Sequence, residues 1–260
     1  MKKIMAILLV LVMATSLAAC GEKTVTIYVQ TQSLRTIGDV EIRMEYGYSD
    51  DGTPLSVMTY FDDQLYQTTT TRISKGVQYV TTTDSEGNSS VQSMESLYDD
   101  KGQLIQMSTW YGVTEAAKTR YSYDDQGNIV KAVTTSGEET ITTTYTYDEN
   151  GNLVTQLQVN EQDGTYLRRE SEYNENAFVI RESNYSGEDV LEGYVEITYG
   201  QENTEKTMTY YDGEGNPTGE VVVETYDENG NKVKEVTIVD GEVTMTIVNT
   251  YVAMEVPVKD

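Results

Sequence analysis

Tyr147-Asp148-Glu149-Asn150-Gly151-Asn152 is a six-residue motif that recurs, with variations, along nearly the whole chain of 260 residues. The copies that resemble it begin at Tyr48, Tyr98, Tyr123, Tyr173, Tyr199, Tyr211 and Tyr226, and one copy that lacks its tyrosine begins at Asp84. From Tyr98 the main series advances in steps of 25, 24, 26, 26 and 27 residues. A period of this length predicts an array in which one supersecondary unit is stacked many times.

The residues around the motif predict two strands in each repeat. Between Glu139 and Tyr147, apolar or aromatic residues alternate with threonines, which is the period of two that marks a strand. The motif residues then favour a tight turn, because Asp and Asn can bond their own backbone and Gly adopts a positive φ. The alternating residues from Leu153 to Val159 supply the return strand. The 21 tyrosines of the chain fit this reading, since aromatic residues are enriched in strands.

These units predict an all-β fold. We expect a repetitive antiparallel meander of roughly 18 strands that forms a large curled sheet, with a closed or half-open barrel as the alternative. The copies at Tyr173 and Tyr199 lack the glycine of the motif, so we expect looser or shifted turns there.

The N-terminus carries a second motif. Lys2 and Lys3 precede an apolar run that is too short to span a bilayer, and Leu17-Ala18-Ala19-Cys20 follows. This segment resembles the lipobox of bacterial lipoproteins. The resemblance implies cleavage before Cys20, acylation of its sulfur and an extracytoplasmic protein that is lipid-anchored to the bacterial cell membrane. The expected organisation is a signal peptide at 1–19, an anchor and very short tether at 20–23, and a single repeat domain at 24–260.

The repeats resemble the YD (RHS-type) repeat over roughly residues 44 to 235, most clearly at Tyr98, Tyr123, Tyr147 and Tyr226. In large members of that family the repeats spiral into a β-shell that encloses toxin domains or forms a cell-surface scaffold, and they have been associated with carbohydrate binding. This chain lacks the Asp-Pro-x-Gly signature at which those shells self-cleave. The resemblance is closer to the small YD-repeat lipoproteins.

Composition excludes several classes of function. With 18 basic and 43 acidic residues the formal net charge is −25, which repels nucleic acid, so no nucleic-acid partner is expected. The chain has no histidine and a single cysteine, so a Ser or Cys nucleophile has no imidazole base. We expect no cofactor, no catalytic residue and no enzymatic activity. A carboxylate-based hydrolase ranks third among the functions considered, because the acids lie mostly in turns.

Two sets of residues are candidates for binding. The only tryptophan and several motif tyrosines could form a platform on which sugar rings stack, although packing across strands would also explain them. These candidates are Trp110, Tyr111, Tyr121, Tyr123, Tyr145 and Tyr147. No metal site is expected, because the acidic turns do not fit the EF-hand pattern. The weak calcium candidates in those turns are Asp148, Asn150, Asp227 and Asn229.

The sequence therefore favours a membrane-anchored extracytoplasmic lipoprotein whose β-array is a binding or scaffold surface. The expected partners are the membrane, through lipidated Cys20, and a glycan, cell-envelope polymer or envelope protein. The alternative is a carrier that shelters a lipid or another amphiphile in a concave β-sheet, which would need a continuous apolar lining.

Overall fold

A computed structural model of the protein describes residues 24–187 and 189–258. The predicted signal peptide, Cys20 and the tether lie outside these ranges. Within them, no helix has the length and hydropathy needed to cross a membrane. A short 3-10 turn occupies Gln201–Asn203. The strands are β1 (Thr24–Ile37), β2 (Val40–Tyr48), β3 (Pro54–Phe61), β4 (Gln64–Ser74), β5 (Val77–Asp84), β6 (Ser89–Tyr98), β7 (Leu104–Tyr111), β8 (Thr114–Tyr123), β9 (Ile129–Ser136), β10 (Glu139–Tyr147), β11 (Leu153–Asn160), β12 (Tyr166–Tyr173), β13 (Val179–Ser186), β14 (Val190–Tyr199), β15 (Glu205–Asp212), β16 (Pro217–Tyr226), β17 (Lys232–Val239) and β18 (Glu242–Pro257).

The 18 strands form one antiparallel sheet that closes on itself. Each strand pairs with the strands before and after it in sequence, and β18 pairs with β1, from Met245 opposite Ile37 to Pro257 opposite Thr24. The predicted all-β class and meander order are confirmed. The sheet adopts the closed barrel, which was the stated alternative to a large curled sheet. Closure pairs the backbone groups that an open sheet would leave exposed along its two edges.

The barrel wall is one sheet thick. Extensive contacts join each strand only to its two neighbours, so no strand packs across the barrel. Only seven hydrophobic residues in the described ranges are buried, and none of the large side chains there is completely enclosed. Barrels of 16 to 18 strands are wide enough to leave a channel. Cross-strand pairing, and not a packed core, therefore holds most of this structure together.

Strand direction sorts the turns into two rims. The turns that follow even-numbered strands form the motif rim, and they include those that begin at Ser49, Asp99, Asp124, Asp148, Asn174 and Asp227. The turns that follow odd-numbered strands form the plain rim. The copies at Asp84 and Tyr211 follow β5 and β15, so they lie at the plain rim. Tyr211 consequently falls outside the series of about 25 residues because it marks the opposite end of a strand.

The aspartate of each motif organises its own turn. The Oδ1 atom of Asp148 accepts the backbone amides of Asn150 and Asn152 at 2.9 and 2.8 Å, while Oδ2 accepts the side-chain amide of Asn152 at 2.8 Å. Gly151 takes φ +85°, a left-handed conformation that suits glycine. The turn at Asp227 repeats these bonds at 2.9, 2.8 and 3.0 Å. Turn geometry thus explains the spacing that recurs in the copies of the motif.

The two turns that lack the motif glycine behave differently. After Tyr173, Asn174 takes the place of the aspartate and its Oδ1 accepts the amides of Asn176 and Phe178, both at 3.0 Å. Ala177 adopts φ +61° where other copies have glycine. The expectation of a loosened turn was therefore wrong here, because the hydrogen bonds hold an alanine in a strained conformation. After Tyr199 the turn is shifted, as expected, into the 3-10 turn.

One end of β1 and β18 extends past the wall. Residues Thr24–Gln30 and Tyr251–Pro257, which we call the ribbon, pair with each other beyond a bulge at Gln30–Gln32. Ile27, Val29 and Val256 form a buried cluster in the ribbon. The turn between β2 and β3 closes over it, since a Cβ on Gly52 would lie 2.5 Å from Ile27 Cδ1 and 3.3 Å from Val256 Cγ1.

The strained conformation of Ala177 predicts stability changes of opposite sign at positions 177 and 151, which are equivalent in their turns. Ala177→Gly should raise the free energy of unfolding by about 1 kcal/mol, because it relieves a left-handed conformation. Gly151→Ala should lower it by a similar amount, since its Cβ would meet nothing within 4 Å and only the backbone cost remains. Urea unfolding curves measure both changes. A loss of stability in Ala177→Gly would contradict the assigned turn.

The packing of the ribbon is tested at a second glycine pair. Gly52 and Gly102 occupy the same place in motif-rim turns, with φ +78° and +80°, but a Cβ at Gly102 would meet nothing within 4 Å. Gly52→Ala should therefore destabilise the protein by about 1–3 kcal/mol more than Gly102→Ala, because it forces a methyl group against the buried cluster. Thermal and urea unfolding of the two variants provide the comparison. Equal losses would show that the turn does not seal the ribbon.

Candidate functional site

The motif tyrosines join successive repeats at the motif rim. The Tyr147 hydroxyl donates to the carbonyl of Ile129 at 2.8 Å, and the Tyr123 hydroxyl donates to that of Leu104 at 2.7 Å. Each acceptor is the first residue of the odd-numbered strand in the previous repeat. Equivalent bonds link Tyr173 to Leu153, Tyr199 to Val179 and Tyr251 to Lys232. Tyr123 and Tyr147 therefore have a structural role. Tyr251 makes the same kind of bond, but the motif pattern did not identify it because no Asp follows it in the sequence.

Tyr121 and Tyr145 complete a group of four tyrosines near the motif rim. They lie on β8 and β10, two strands that flank β9. Burial raises the pKa of the Tyr121 hydroxyl, and the neighbouring Tyr145 and Tyr123 add to the shift. Burial and Tyr145 likewise raise the pKa of Tyr147. The structure thus brings together four of the six aromatic candidates.

Trp110 and Tyr111 lie apart from that group. They end β7 at the plain rim, a strand length away from the motif rim. Tyr121 lies on the same face of β8 as Thr119, which pairs with Met107 on β7. Trp110 is three residues beyond Met107, so it lies on the other face of β7. Trp110 and Tyr111 are consecutive residues of one strand, so their side chains also lie on opposite faces of the sheet. The six candidates therefore do not form a single continuous platform.

The surroundings of Trp110 are polar. Its direct cross-strand partners are Ser93 on β6 and Glu115 on β8. The Glu115 carboxylate pairs with the Lys118 ammonium at 2.7 Å. Trp110 is half-buried, and none of the aromatic or cation–π contacts in the described residues covers its ring. An aromatic ring bordered by hydroxyl and charged groups is an arrangement that can hold a polar ring-shaped ligand.

A second aromatic group, which sequence reasoning missed, is already occupied by its neighbours. The Arg181 guanidinium lies 3.7 Å from the centre of the Tyr194 ring, and Tyr211 stacks on that ring with centroids 4.6 Å apart. These contacts come from β13 and β15, on the two sides of β14. Tyr194 therefore serves packing across strands and does not offer a free face to a ligand.

The weak calcium candidates are committed to their turns. Asp148 and Asp227 use their carboxylate oxygens for the bonds within each turn, and Asn150 and Asn229 contribute backbone amides to the same bonds. No group of three or more His, Cys, Asp or Glu residues in residues 24–187 and 189–258 is placed to hold a metal ion. Hydrogen bonds from the side chain and backbone of Asn152 lower the pKa of the Asp148 carboxyl. Turn chemistry therefore accounts for these residues.

A buried ion cluster on β15, β16 and β17 was also missed. The Glu224 carboxylate is 8% exposed as a residue, and it lies 2.9 Å from the Lys232 ammonium and 3.3 Å from that of Lys206. The Tyr226 hydroxyl donates to it at 2.7 Å. Burial opposes ionisation, but Tyr226, Lys232 and Lys206 together lower the pKa of Glu224. The cluster could have been found from register, since Lys206 lies directly opposite Glu224.

The lowered pKa values in the turns predict a dependence of stability on pH. Asp124, Asp148 and Asp227 each have a pKa below the ordinary value of 3.8. Their contribution to stability is therefore complete above the pKa of the unfolded chain and is lost as the pH falls through the lower pKa of the folded protein. A variant with all three changed to Asn keeps the acceptor oxygen, as Asn174 does, and should lose stability relative to the parent above about pH 4. This difference should shrink towards pH 2 in urea titrations.

A charge-matched control separates this effect from general repulsion. The variant Asp125→Asn, Glu149→Gln, Glu228→Gln removes three neighbouring turn carboxylates, and none of them accepts a hydrogen bond within these turns. It should show no comparable loss above pH 4. Equal behaviour of the two triple variants would refute a role for the turn bonds.

Comparison with known proteins supports the repeat assignment. The Teneurin YD-shell family profile matches residues 44–215, which is more than half of the chain. No curated protein matches this chain. A porin-like protein from Bacteroides uniformis ATCC 8492 is similar at 13% identity and a TM-score of 0.44, over 85% of this chain and 96% of that one. The TcdB2-TccC3-Cdc42 structure is similar at 10% identity and a TM-score of 0.31, and TcdB2-TccC3 without its hypervariable C-terminal region at 11% and 0.30. Both similarities cover 77% of this chain but only 14% of the matched chain. The matched profile and the closed wall of repeats establish that this chain is a barrel-shell protein that belongs to the Teneurin YD-shell family.

Proposed function

We propose that this protein is a membrane-anchored extracytoplasmic lipoprotein whose barrel shell is a non-enzymatic binding surface for carbohydrate or cell-envelope polymer. The lipobox Leu17-Ala18-Ala19-Cys20 supports the anchoring part of the proposal. The observation that carries the binding part is Trp110, the only tryptophan, whose ring has polar neighbours and no aromatic or cationic partner in the described wall.

A single-layer wall suits such a role. Because no strand packs across the barrel, the sheet faces are not consumed in a core, and serine, threonine and glutamine side chains remain along them. Ser93 on β6 and Glu115 on β8 flank Trp110 at the plain rim, while Gln92 and Thr114 flank Tyr111 on the opposite face. Hydroxyl, amide and carboxylate groups beside an aromatic ring are the groups that bind sugar hydroxyls while the ring packs on the sugar's apolar face.

The charge state of the buried acid supports a non-enzymatic role. A glycosidase needs one carboxylic acid whose pKa is raised so that it can donate a proton. In the described residues the buried carboxylate is Glu224, and two ammonium groups and a hydroxyl lower its pKa. Glu224 is therefore held as a carboxylate by its partners and is suited to stabilising the wall.

The test is a glycan and cell-wall-polymer array probed with residues 22–260, with and without calcium. We expect selective binding that Trp110→Ala abolishes and that does not require calcium. The matched control is Tyr98→Ala, which removes another aromatic side chain, 62% exposed, from the motif rim and should bind like the parent. Unfolding curves of both variants confirm that they are folded.

The outcomes separate the alternatives. A blank array would contradict carbohydrate binding and direct attention to protein scaffolding or lipid carriage. Binding that calcium controls would instead assign a ligand role to the acidic turns at Asp148 and Asp227. Binding that is equal in all three proteins would show that Trp110 is not the platform.

A further inference from the structure

The ribbon carries few charges. Residues 24–34 of β1 contain no charged side chain, and the exposed Glu255, opposite Thr26, is the one charged residue of β18 between 243 and 257, in a protein whose net charge is −25. The motif-rim turns beside it carry most of their side chains as Asp, Glu and Asn.

The ribbon also stands beyond the wall. The pairing of β1 with β2 begins only at Gln32, and the pairing of β17 with β18 ends at Val248. Past these points each ribbon strand pairs only with the other, so both outer edges lack a ladder partner. Tyr28 and Val252 are 43% and 51% exposed on it. The ribbon therefore presents exposed apolar side chains at the motif rim.

Its position relative to the lipidated cysteine is fixed by chain length. Three residues separate Cys20 from Thr24, where the ribbon begins, and the four Cα-to-Cα steps between them span at most ~14 Å when fully extended. The rest of the barrel is attached to the bilayer only through this connection. The ribbon is therefore the first folded part that can reach the headgroups.

We propose that the ribbon is a lipid-contacting surface, so that the shell stands with its motif rim towards the bilayer and its plain rim, with Trp110, away from it. This inference rests on the acylation of Cys20 that forms part of the proposed function. The unpaired backbone groups at the ribbon edges cannot enter hydrocarbon, so the ribbon lies at headgroup level with Tyr28 as an interfacial aromatic residue. Anionic headgroups repel the acidic turns, and the ribbon, whose one charged side chain is Glu255, holds those turns away from the surface.

The orientation has a consequence for the plain rim. Exposed apolar residues also occur there, on the adjoining hairpins β1–β2 and β3–β4, where Phe61 and Tyr66 meet edge to face with centroids 4.9 Å apart. With the motif rim at the membrane, these residues and Trp110 face the space in which an envelope polymer would be met.

Distance from the bilayer can be measured at three sites in the full acylated protein. Because the only native cysteine carries the lipid, a single cysteine introduced at an exposed position is the only free thiol. The positions are Ala253→Cys on the ribbon, Lys101→Cys on the motif rim and Glu138→Cys on the plain rim, all exposed in the parent. Each is labelled with a coumarin donor, and the protein is reconstituted in phosphatidylethanolamine–phosphatidylglycerol vesicles that contain a headgroup-labelled rhodamine acceptor.

Energy transfer should be strongest at position 253, intermediate at 101 and weakest at 138. The ribbon label should exceed the plain-rim label about twofold or more, because a tilted strand of eight to ten residues separates the rims by ~20 Å. The order should persist when a flexible 20-residue linker is inserted between Glu22 and Lys23, since the ribbon itself contacts lipid. A reversed order, equal transfer at all sites, or loss of the order with the long linker would overturn the inference.

A separate control distinguishes failure of the anchor. The parent should float with the vesicles in a density gradient, and Cys20→Ala should not. If the parent fails to float, the acylation in the proposed function is wrong. If it floats but the transfer order is absent, only the ribbon inference is wrong. Adding Tyr28→Glu and Val252→Glu to the long-linker protein should reduce transfer at position 101, because charge is placed on the contacting surface while the anchor is kept.

Discussion

The pairing of β18 with β1 is the interaction on which this structure depends. A wall of 18 strands with seven buried hydrophobic residues in its described part has little core to hold it. The hydrogen-bonded ladder supplies the cohesion, and an open ladder would expose two edges to solvent and to other chains. Closing the ladder satisfies both edges, and the bulge at Gln30–Gln32 lets the same two strands continue as the ribbon. Closure and the projection at the motif rim therefore come from a single strand pair.

The motif residues fix the register between neighbouring strands. In a sheet without a core, little prevents neighbouring strands from slipping, because the cost of exposing a buried face is small. Asp148 and Asp227 each fix their turn with three hydrogen bonds. Tyr123 and Tyr147 each anchor their turn to a backbone carbonyl of the previous repeat. The alanine at position 177 shows how strongly the turn is specified, since it accepts a left-handed conformation to preserve it. The Asp and Tyr residues of the motif thus serve mainly to hold the turns and the strand register.

The structural role of the motif residues limits which side chains are available to bind a ligand. Tyr123 and Tyr147 are committed to backbone carbonyls, Tyr194 is enclosed between Arg181 and Tyr211, and the turn aspartates are saturated by their own amides. The proposed ligand and bilayer surfaces instead use residues outside the motif, such as Trp110 and Tyr28. In repeat proteins the exceptional residue is therefore more informative about binding than the repeated one.

The sequence alone determined the all-β class, the approximate number and the order of the strands and the position of the motif turns, because alternation and turn chemistry act within a few residues. Closure was left open, since β1 and β18 are 204 residues apart between Ile37 and Glu242 and nothing local records their pairing. The tertiary structure also decided that the six aromatic candidates do not form one surface, because a bulge and the alternation of β7 place Trp110 on the other face from Tyr121. The same is true of the Glu224 cluster, whose members become neighbours only once three strands are in register. Local chemistry fixed the repeat, and long-range pairing decided how the repeats face one another.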